Sequence, residues 1–237
     1  MHRFFIDQQF ENNIINPSKE ILHQLIKVLR IKKNEDFIVI QNKKEYLCNL
    51  INNQIILKKK LIKQNYQKEN ELILVQGVPK SNKLSFILQK STEIGVKKIY
   101  LWKTDYSNIL FADILKKDQR FKKILKEAAE QSNRIDFPDI SYIDKLEQIE
   151  FKDDDLLFVF YEKADPIKEN FKKYFFKLSN SNKFKRIIIF IGPEGGWSEK
   201  EINLLKLKDA KLVSMGENIL RTETAAIVAL ALVKYLI

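Results

Sequence analysis

The chain has 237 residues, of which 45% are hydrophobic and 11% aromatic, enough to bury one large core or two small ones without disulfide or metal staples. Lys and Arg outnumber Asp and Glu by 42 to 31, and the resulting net charge of +11 favours an anionic partner such as nucleic acid. A single cysteine, Cys48, excludes an internal disulfide framework or a multi-cysteine metal cluster, and two histidines near the start, His2 and His23, leave the rest of the chain without the imidazole of a Ser-His-Asp triad or a histidine metal site.

The first elements expected in chain order form a small β-rich unit. Ser18 can cap a short helix that carries Ile21, Leu22, Leu25 and Val28 on one face. Three short β-prone runs follow at 37–40, 46–51 and 55–57, with turns at Gln41-Asn42-Lys43 and Asn52-Asn53. Together they suggest a small barrel with one helix. The polar, aperiodic stretch 63–70 reads as a linker, which places a first domain at 1–68 and a second at 69–237. Strands and helices then alternate. A buried strand at 72–75 precedes a helix over 83–94 that Gly95 stops. A strand at 98–102 leads to a helix with Phe121, Ile124, Leu125, Ala128 and Ala129 on one stripe, and later strands fall at 156–160, 187–191 and 212–215. Strands apolar on both faces with helices between them predict an α/β domain, a parallel sheet covered on both sides. No apolar run approaches the roughly 18 residues of a membrane-spanning helix and the start lacks a signal-peptide core, so a soluble protein in a reducing, cytoplasmic setting is expected.

Two segments carry the chemistry. The apolar strand ending at Ile191 runs into Gly192-Pro193-Glu194-Gly195-Gly196, and Ser198 with Glu201 forms a capping box that starts a helix. A strand, a glycine-rich loop and a helix N-terminus make the place where open α/β sheets bind ligands. The loop presents Glu194 and no lysine, so a polyphosphate is not the expected ligand; a purine nucleoside or a ligand with a positive centre fits better. The second segment runs from Met215-Gly216-Glu217-Asn218 through Ile219-Leu220-Arg221-Thr222-Glu223-Thr224-Ala225. Thr222 or Thr224 can cap the next helix and Glu223 sits in its first turn, where the helix dipole favours an anion. An ion pair between Arg221 and Glu223 is the purely structural alternative. The helix after it is apolar all round, so both of its sides need cover and a subunit interface is expected.

These two motifs, in this order, resemble the RsmE family of ribosomal RNA uridine-N3 methyltransferases, in the knotted SPOUT superfamily. The resemblance extends over nearly the whole chain, taking in Arg3-Phe4-Phe5, the stretch from His23 to Arg30, Gln89 to Gly95, Glu130-Gln131-Ser132-Asn133-Arg134 and Tyr161-Glu162. It implies an N-terminal PUA-like β-barrel that helps bind RNA and a C-terminal SPOUT methyltransferase domain with a trefoil knot, working as a homodimer on 16S ribosomal RNA or the small ribosomal subunit. S-adenosyl-L-methionine would lie against Tyr161, Glu162, Ile191, Gly192, Pro193, Glu194, Gly195, Gly196, Met215, Gly216, Ile219, Leu220, Arg221, Thr222, Thr224 and Ala225. Arg221 would stabilise the uridine anion, and the base would be either Glu223, the nearest carboxylate in sequence, or solvent, whereas Arg3, His23, Lys27, Arg30, Gln131 and Arg134 would meet RNA. No metal is implied, because methyl transfer from a sulfonium needs orientation and electrostatics rather than a metal or nucleophile. The sequence departs from the family where a cation usually stands at Asn218, where an arginine often stands at Tyr106, and at Glu217, where a neutral or basic residue is usual. A methyltransferase for another position, such as a ribose 2′-oxygen, and a non-catalytic RNA-binding assembly factor remain the alternatives.

Overall fold

Two-residue turns with both residues at positive φ build the first sheet. The computed structural model describes residues 1–32, 35–61, 70–171, 174 and 185–235. Among these, β3 (Asp36–Gln41) and β4 (Lys44–Ile51) are joined by Asn42 (φ 49°) and Lys43 (φ 58°), and β4 joins β5 (Gln54–Leu61) through Asn52 (φ 51°) and Asn53 (φ 61°). Asparagine tolerates this left-handed backbone, and the twist of such turns matches that of paired strands. The same chemistry at Asn12 and Asn13, not anticipated from the sequence, turns the chain before β2 (Ile14–Ile15). With β1 (Arg3–Phe5) parallel to β3 and the other pairings antiparallel, the order is β1-β3-β4-β5-β2. Its core holds Phe4, Ile6, Ile15, Leu25, Phe37, Val39 and Ile55.

The helix of this unit, α1 (Lys19–His23), starts as expected with the Ser18 hydroxyl accepting from the Ile21 amide at 3.3 Å. It does not keep its expected stripe. Residues 24–28 form a π turn, with the Leu29 amide donating to the Gln24 carbonyl, and this wider turn shifts the phase so that Leu25 is buried while Val28 is 62% exposed.

The chain divides into two compact units, one of Met1–Tyr66 with Ala129–Asp136 and one of Gln67–Ala128 with Phe137–Ile237. The expected linker at 63–70 lies almost wholly outside the described residues. The first unit takes a segment from far down the chain, which a single cut at residue 68 does not provide for.

In the second unit the strand pairings among the described residues are all parallel. The sheet order is β11 (Lys211–Val213), β9 (Asp155–Phe160), β10 (Arg186–Ile191), β6 (Glu71–Gly77), β7 (Lys98–Trp102) and β8 (Asp139–Ile143). Along β10, Ile187, Ile189 and Ile191 enter one core, which includes residues of α2 (Ser81–Ile94), α4 (Asp118–Gln131) and α6 (Thr222–Lys234). Ile188 and Phe190 enter the other, with Trp197 and residues of α5 (Glu199–Leu207). Burial on both faces explains why the strand reads as an uninterrupted apolar run. Gly95 (φ 109°) ends α2 as expected, its amide donating to the Ser91 and Thr92 carbonyls. The short helix α3 (Phe111–Leu115) and the edge strand β8, which follows Pro138 and mixes polar with apolar residues, were not marked by the sequence pattern.

One crossing positions the site. β11 is the outer strand beside β9, yet α6 packs against α2, β6 and β10 in the middle of the sheet. The segment 214–221 that joins them therefore runs past the carboxyl end of β9 to reach the end of β10.

Candidate functional site

Three segments at the carboxyl ends of β9, β10 and β11 enclose a cleft of about 510 Å³. They are Phe160 to Glu162 after β9, Ile191 to Gly196 after β10, and Val213 to Thr222 with Ala225 between β11 and α6. The volume suits a small ligand, and the place is where open α/β sheets hold one.

Buried hydrogen bonds fix the floor. The Thr222 hydroxyl donates to the Gly192 carbonyl at 2.6 Å and accepts from Gln76 Nε2 at 3.0 Å. Gln76, fully buried at the end of β6, also donates to the carbonyl of Gly77 at 2.9 Å. Thr222 thus does not cap α6. The capping position is Arg221, whose side chain makes no capping bond, and Thr222 is already helical. Trp197, buried against Trp102 with ring centroids 5.4 Å apart, donates from Nε1 to the Phe160 carbonyl at 3.1 Å and so ties the second loop to the first. The capping box forms as expected: Ser198 Oγ accepts from the Glu201 amide at 3.2 Å, and Glu201 Oε2 accepts from the Ser198 amide at 2.9 Å.

The glycines serve the chain's own packing. A Cβ at Gly195 would stand 2.8 Å from Tyr106 Cβ, and one at Gly196, where φ is 71°, would stand 2.6 Å from Glu162 Oε1. Gly216, at φ 108°, is required by its backbone alone, since a Cβ there would meet nothing within 4 Å.

A cation that the sequence did not reveal stands beside the loop. Lys83, from the first turn of α2, lines the cleft and holds its ammonium 3.3 Å from Glu194 Oε1 and 3.4 Å from Glu223 Oε2. Burial pulls the Glu194 carboxyl upward, but hydrogen bonds from its own amide and that of Lys80, together with the Lys83 ammonium, leave it below the usual carboxylate range. Glu223 therefore pairs with Lys83 and not with Arg221, and among the described residues the exposed Arg221 side chain has no hydrogen-bond or ion-pair partner. Glu223 Oε2 is buried, reaches Lys83 at ion-pair distance and makes no hydrogen bond.

Of the residues expected around the cofactor, all but Thr224 line the cleft; Thr224 is exposed on α6 and lies off its wall. Glu223 also lies off the wall, and its bond to Lys83 leaves it poorly placed as a base. Two cations, Lys83 and Arg221, share the lining with three carboxylates, Glu162, Glu194 and Glu217, and with the apolar Ile191, Met215, Ile219 and Leu220. Such a lining suits a ligand with an apolar ring system and a positive centre, and S-adenosylmethionine has that character. Among the described residues no group of three or more His, Cys, Asp or Glu is placed to hold a metal ion, and no helix is long and apolar enough to cross a membrane.

The residues expected to meet RNA all fall in the first unit. His23, Lys27, Arg30 and Gln131 are exposed. Arg3 is not available in the same way: its guanidinium is buried and paired with the buried Glu45, and that burial lowers its pKa. Arg134 is bonded to Asp136, with its side chain 13% exposed, and lies in the loop after α4 whose Glu130 carboxylate accepts from the Phe5 amide at 3.0 Å.

Comparison with known proteins gives a consistent result. Residues 66–234 match the RNA methyltransferase domain model. The chain is 34% identical to the ribosomal RNA small subunit methyltransferase E of Mesomycoplasma hyopneumoniae, with 96% of each chain covered. It is 31% identical to the enzyme of the same name from Bacillus subtilis, covering 99% of this chain and 96% of that one. The crystal structure of a ribosomal RNA small subunit methyltransferase E from Neisseria gonorrhoeae bound to S-adenosylmethionine superposes with a TM-score of 0.83, at 24% identity over 100% of this chain and 98% of that one, and establishes the fold.

Proposed function

The chain belongs to the family of ribosomal RNA small subunit methyltransferases E, and from that membership we propose that it uses S-adenosylmethionine to methylate N3 of a uridine in 16S ribosomal RNA. The observation that carries this reading is the cleft at the carboxyl ends of β9 and β10, walled by loops with acidic and apolar lining, into which Arg221 opens without a side-chain partner among the described residues. When bound, S-adenosylmethionine supplies an electrophilic methyl group on a sulfonium. Ile191, Met215, Ile219 and Leu220 offer apolar contact for its adenine, and Glu162, Glu194 and Glu217 favour its positive charge.

The uridine imide must lose its N3 proton to become a nucleophile, and with Glu223 held by Lys83 that proton passes to solvent water; negative charge then spreads onto the flanking carbonyl oxygens. Arg221 is free to stabilise that charge, because the neighbouring Glu223 is held by Lys83. Its planar fork can face a carbonyl oxygen in a way that a lysine cannot reproduce. Lys83 holds Glu194 and Glu223 in place and is a positioning residue in this scheme.

The first unit binds RNA through His23, Lys27, Arg30 and Gln131, and the second holds cofactor and catalyses transfer. The crossing of segment 214–221 from the edge strand to the centre of the sheet is the part of the chain that a trefoil threading would use. The working form is a cytoplasmic homodimer. Ala226, Ala229, Leu230 and Val233 of α6 are buried within their own chain, whereas Leu232 is 40% and Tyr235 83% exposed and Ile227 and Val228 are half-buried. A second copy would cover that remaining apolar side.

The test is loss of N3-methyluridine from 16S ribosomal RNA on deletion of the gene, with recovery by the native gene and not by Arg221→Ala. A ribose 2′-O-methyl group lost in its place would assign another RNA position, and no change in methylation with RNA binding intact would make the protein a non-catalytic factor.

A further inference from the structure

We propose that Tyr106 is a base-stacking residue for the RNA substrate, a role that rests on the methyltransferase reading above. Its loop, between β7 and α3, is held rigidly at the start of α5. The Asp105 amide donates to Glu201 Oε1 at 2.8 Å, and the Asp105 carboxylate accepts from Ser198 Oγ at 2.6 Å. The Thr104 amide donates to Ser107 Oγ at 3.2 Å, the two hydroxyls lie 2.7 Å apart, and the Ser107 amide returns a bond to the Thr104 carbonyl at 3.1 Å. Glu201 and Ser198 therefore cap α5 and pin this loop with the same side chains.

The result is an aromatic side chain held without being buried. Tyr106 is 48% exposed, and among the described residues it has no ring partner and its phenol no hydrogen bond. It sits against the wall of the cleft, because a Cβ on Gly195 would come within 2.8 Å of its Cβ and 3.4 Å of its Cγ. An exposed aromatic ring on an ordered loop, its base packed against the cleft-lining Gly195 although Tyr106 is not itself part of the lining, has the features of a stacking platform: a base splayed from a single strand gains a partner, and the backbone loses little entropy because the loop is already ordered. The neighbouring loop supplies the methyl donor's contacts, so a base on Tyr106 would be the target uridine or one adjacent to it.

The test uses small ribosomal subunits from a strain lacking the gene as substrate. Tyr106→Ala should lower kcat/KM roughly 5- to 150-fold, mostly through KM, and Tyr106→Phe and Tyr106→Trp should restore it to within about threefold. S-adenosylmethionine affinity, measured by titration, should stay the same in the alanine variant. In Tyr106→Trp, single-stranded oligouridylate should quench an added indole emission that the buried Trp102 and Trp197 do not contribute. The proposal falls if the phenylalanine variant loses as much as alanine, which would assign the hydroxyl, or if alanine weakens cofactor binding as much as turnover, which would make Tyr106 only a wedge behind Gly195. It falls equally if oligouridylate leaves the new emission unchanged. Should the native protein transfer no methyl group to subunits, the proposed function fails, and quenching of Tyr106→Trp still decides whether this ring meets RNA.

Discussion

Replacing Gly196 separates what the loop after β10 owes to its backbone from what it owes to space. At φ 71° an L-residue pays about 1–2 kcal/mol, and an alanine Cβ would also lie 2.6 Å from Glu162 Oε1. The second contact is the far end of a flexible side chain that can rotate away, so the backbone term dominates. In the free protein the loop can relax from this strain, but it must return to the native shape to wall the cleft. The cost then appears as weaker binding, about 5- to 30-fold in Kd for S-adenosylmethionine in Gly196→Ala. Asparagine, which tolerates the left-handed region, should lose less, and valine, which adds β-branching, should lose binding altogether. Adding Glu162→Ala to Gly196→Ala relieves the collision and should recover only a minor part. Calorimetric titration of each folded variant gives the answer. Native affinity in Gly196→Ala would show that the loop conformation is not needed, and full recovery in the double variant would show that the collision was the larger cost.

Arg221→Ala should leave the cofactor Kd within a few-fold of native and lower methyl transfer on the order of 10²-fold or more, with Arg221→Lys rescuing little; single-turnover assays on small subunits read this. Lys27→Glu with Arg30→Glu should weaken RNA binding and flatten its salt dependence without changing cofactor affinity; a parallel fall in both would assign these residues to the fold. Cys48 is fully buried and burial pushes its thiol up to about 12, so Ellman's reagent at pH 8 should not react until the protein unfolds. Glu194 has a folded pKa below its ordinary 4.5, so its contribution to stability is present above that value and is lost as pH falls through the lower one; Glu194→Gln should shrink the acid limb of a plot of Tm against pH. Leu232→Glu should convert a dimer of twice 28.1 kDa to monomer in light scattering while keeping the native fold, whereas Leu230→Glu should unfold the domain, because Leu230 is buried within its own chain.

The parts of this molecule that a sequence shows best are those governed by local periodicity. The strands at 98–102 and 187–191, the stop at Gly95 and the capping box at Ser198 all appear in the structure where spacing placed them. The π turn at 24–28 was hidden because its five residues carry a plausible α-helical stripe, and only the packing of Leu25 shows which phase is used. β8 was hidden because an edge strand needs no continuous apolar run. At the site, motif glycines and Arg221 were visible, but Lys83 was not. It lies 111 positions before Glu194 in a helix whose polar face looks like any solvated surface, and only the folding of α2 beside the loop gives it meaning.

The distribution of charge supports two different ligands on one chain. The protein as a whole carries +11, yet the cleft sets three carboxylates against two cations, one of which is already engaged by Glu194 and Glu223. Among the described residues a polyanion drawn by the general field therefore meets no unpaired lysine within the cleft, and the walls favour a positive centre instead. Arg221 is the exception, a cation in the lining that is bound to no carboxylate among the described residues, and the proposed role of stabilising charge on the reacting base rests on that freedom. If the acidic lining acts on the charged sulfur, neutralising Glu162, Glu194 and Glu217 together should weaken S-adenosylmethionine more than its uncharged-sulfur product S-adenosylhomocysteine, since the two ligands differ in charge there. Equal losses for both would show that the acidic lining acts on the amino acid end or on loop shape, and not on the charged sulfur.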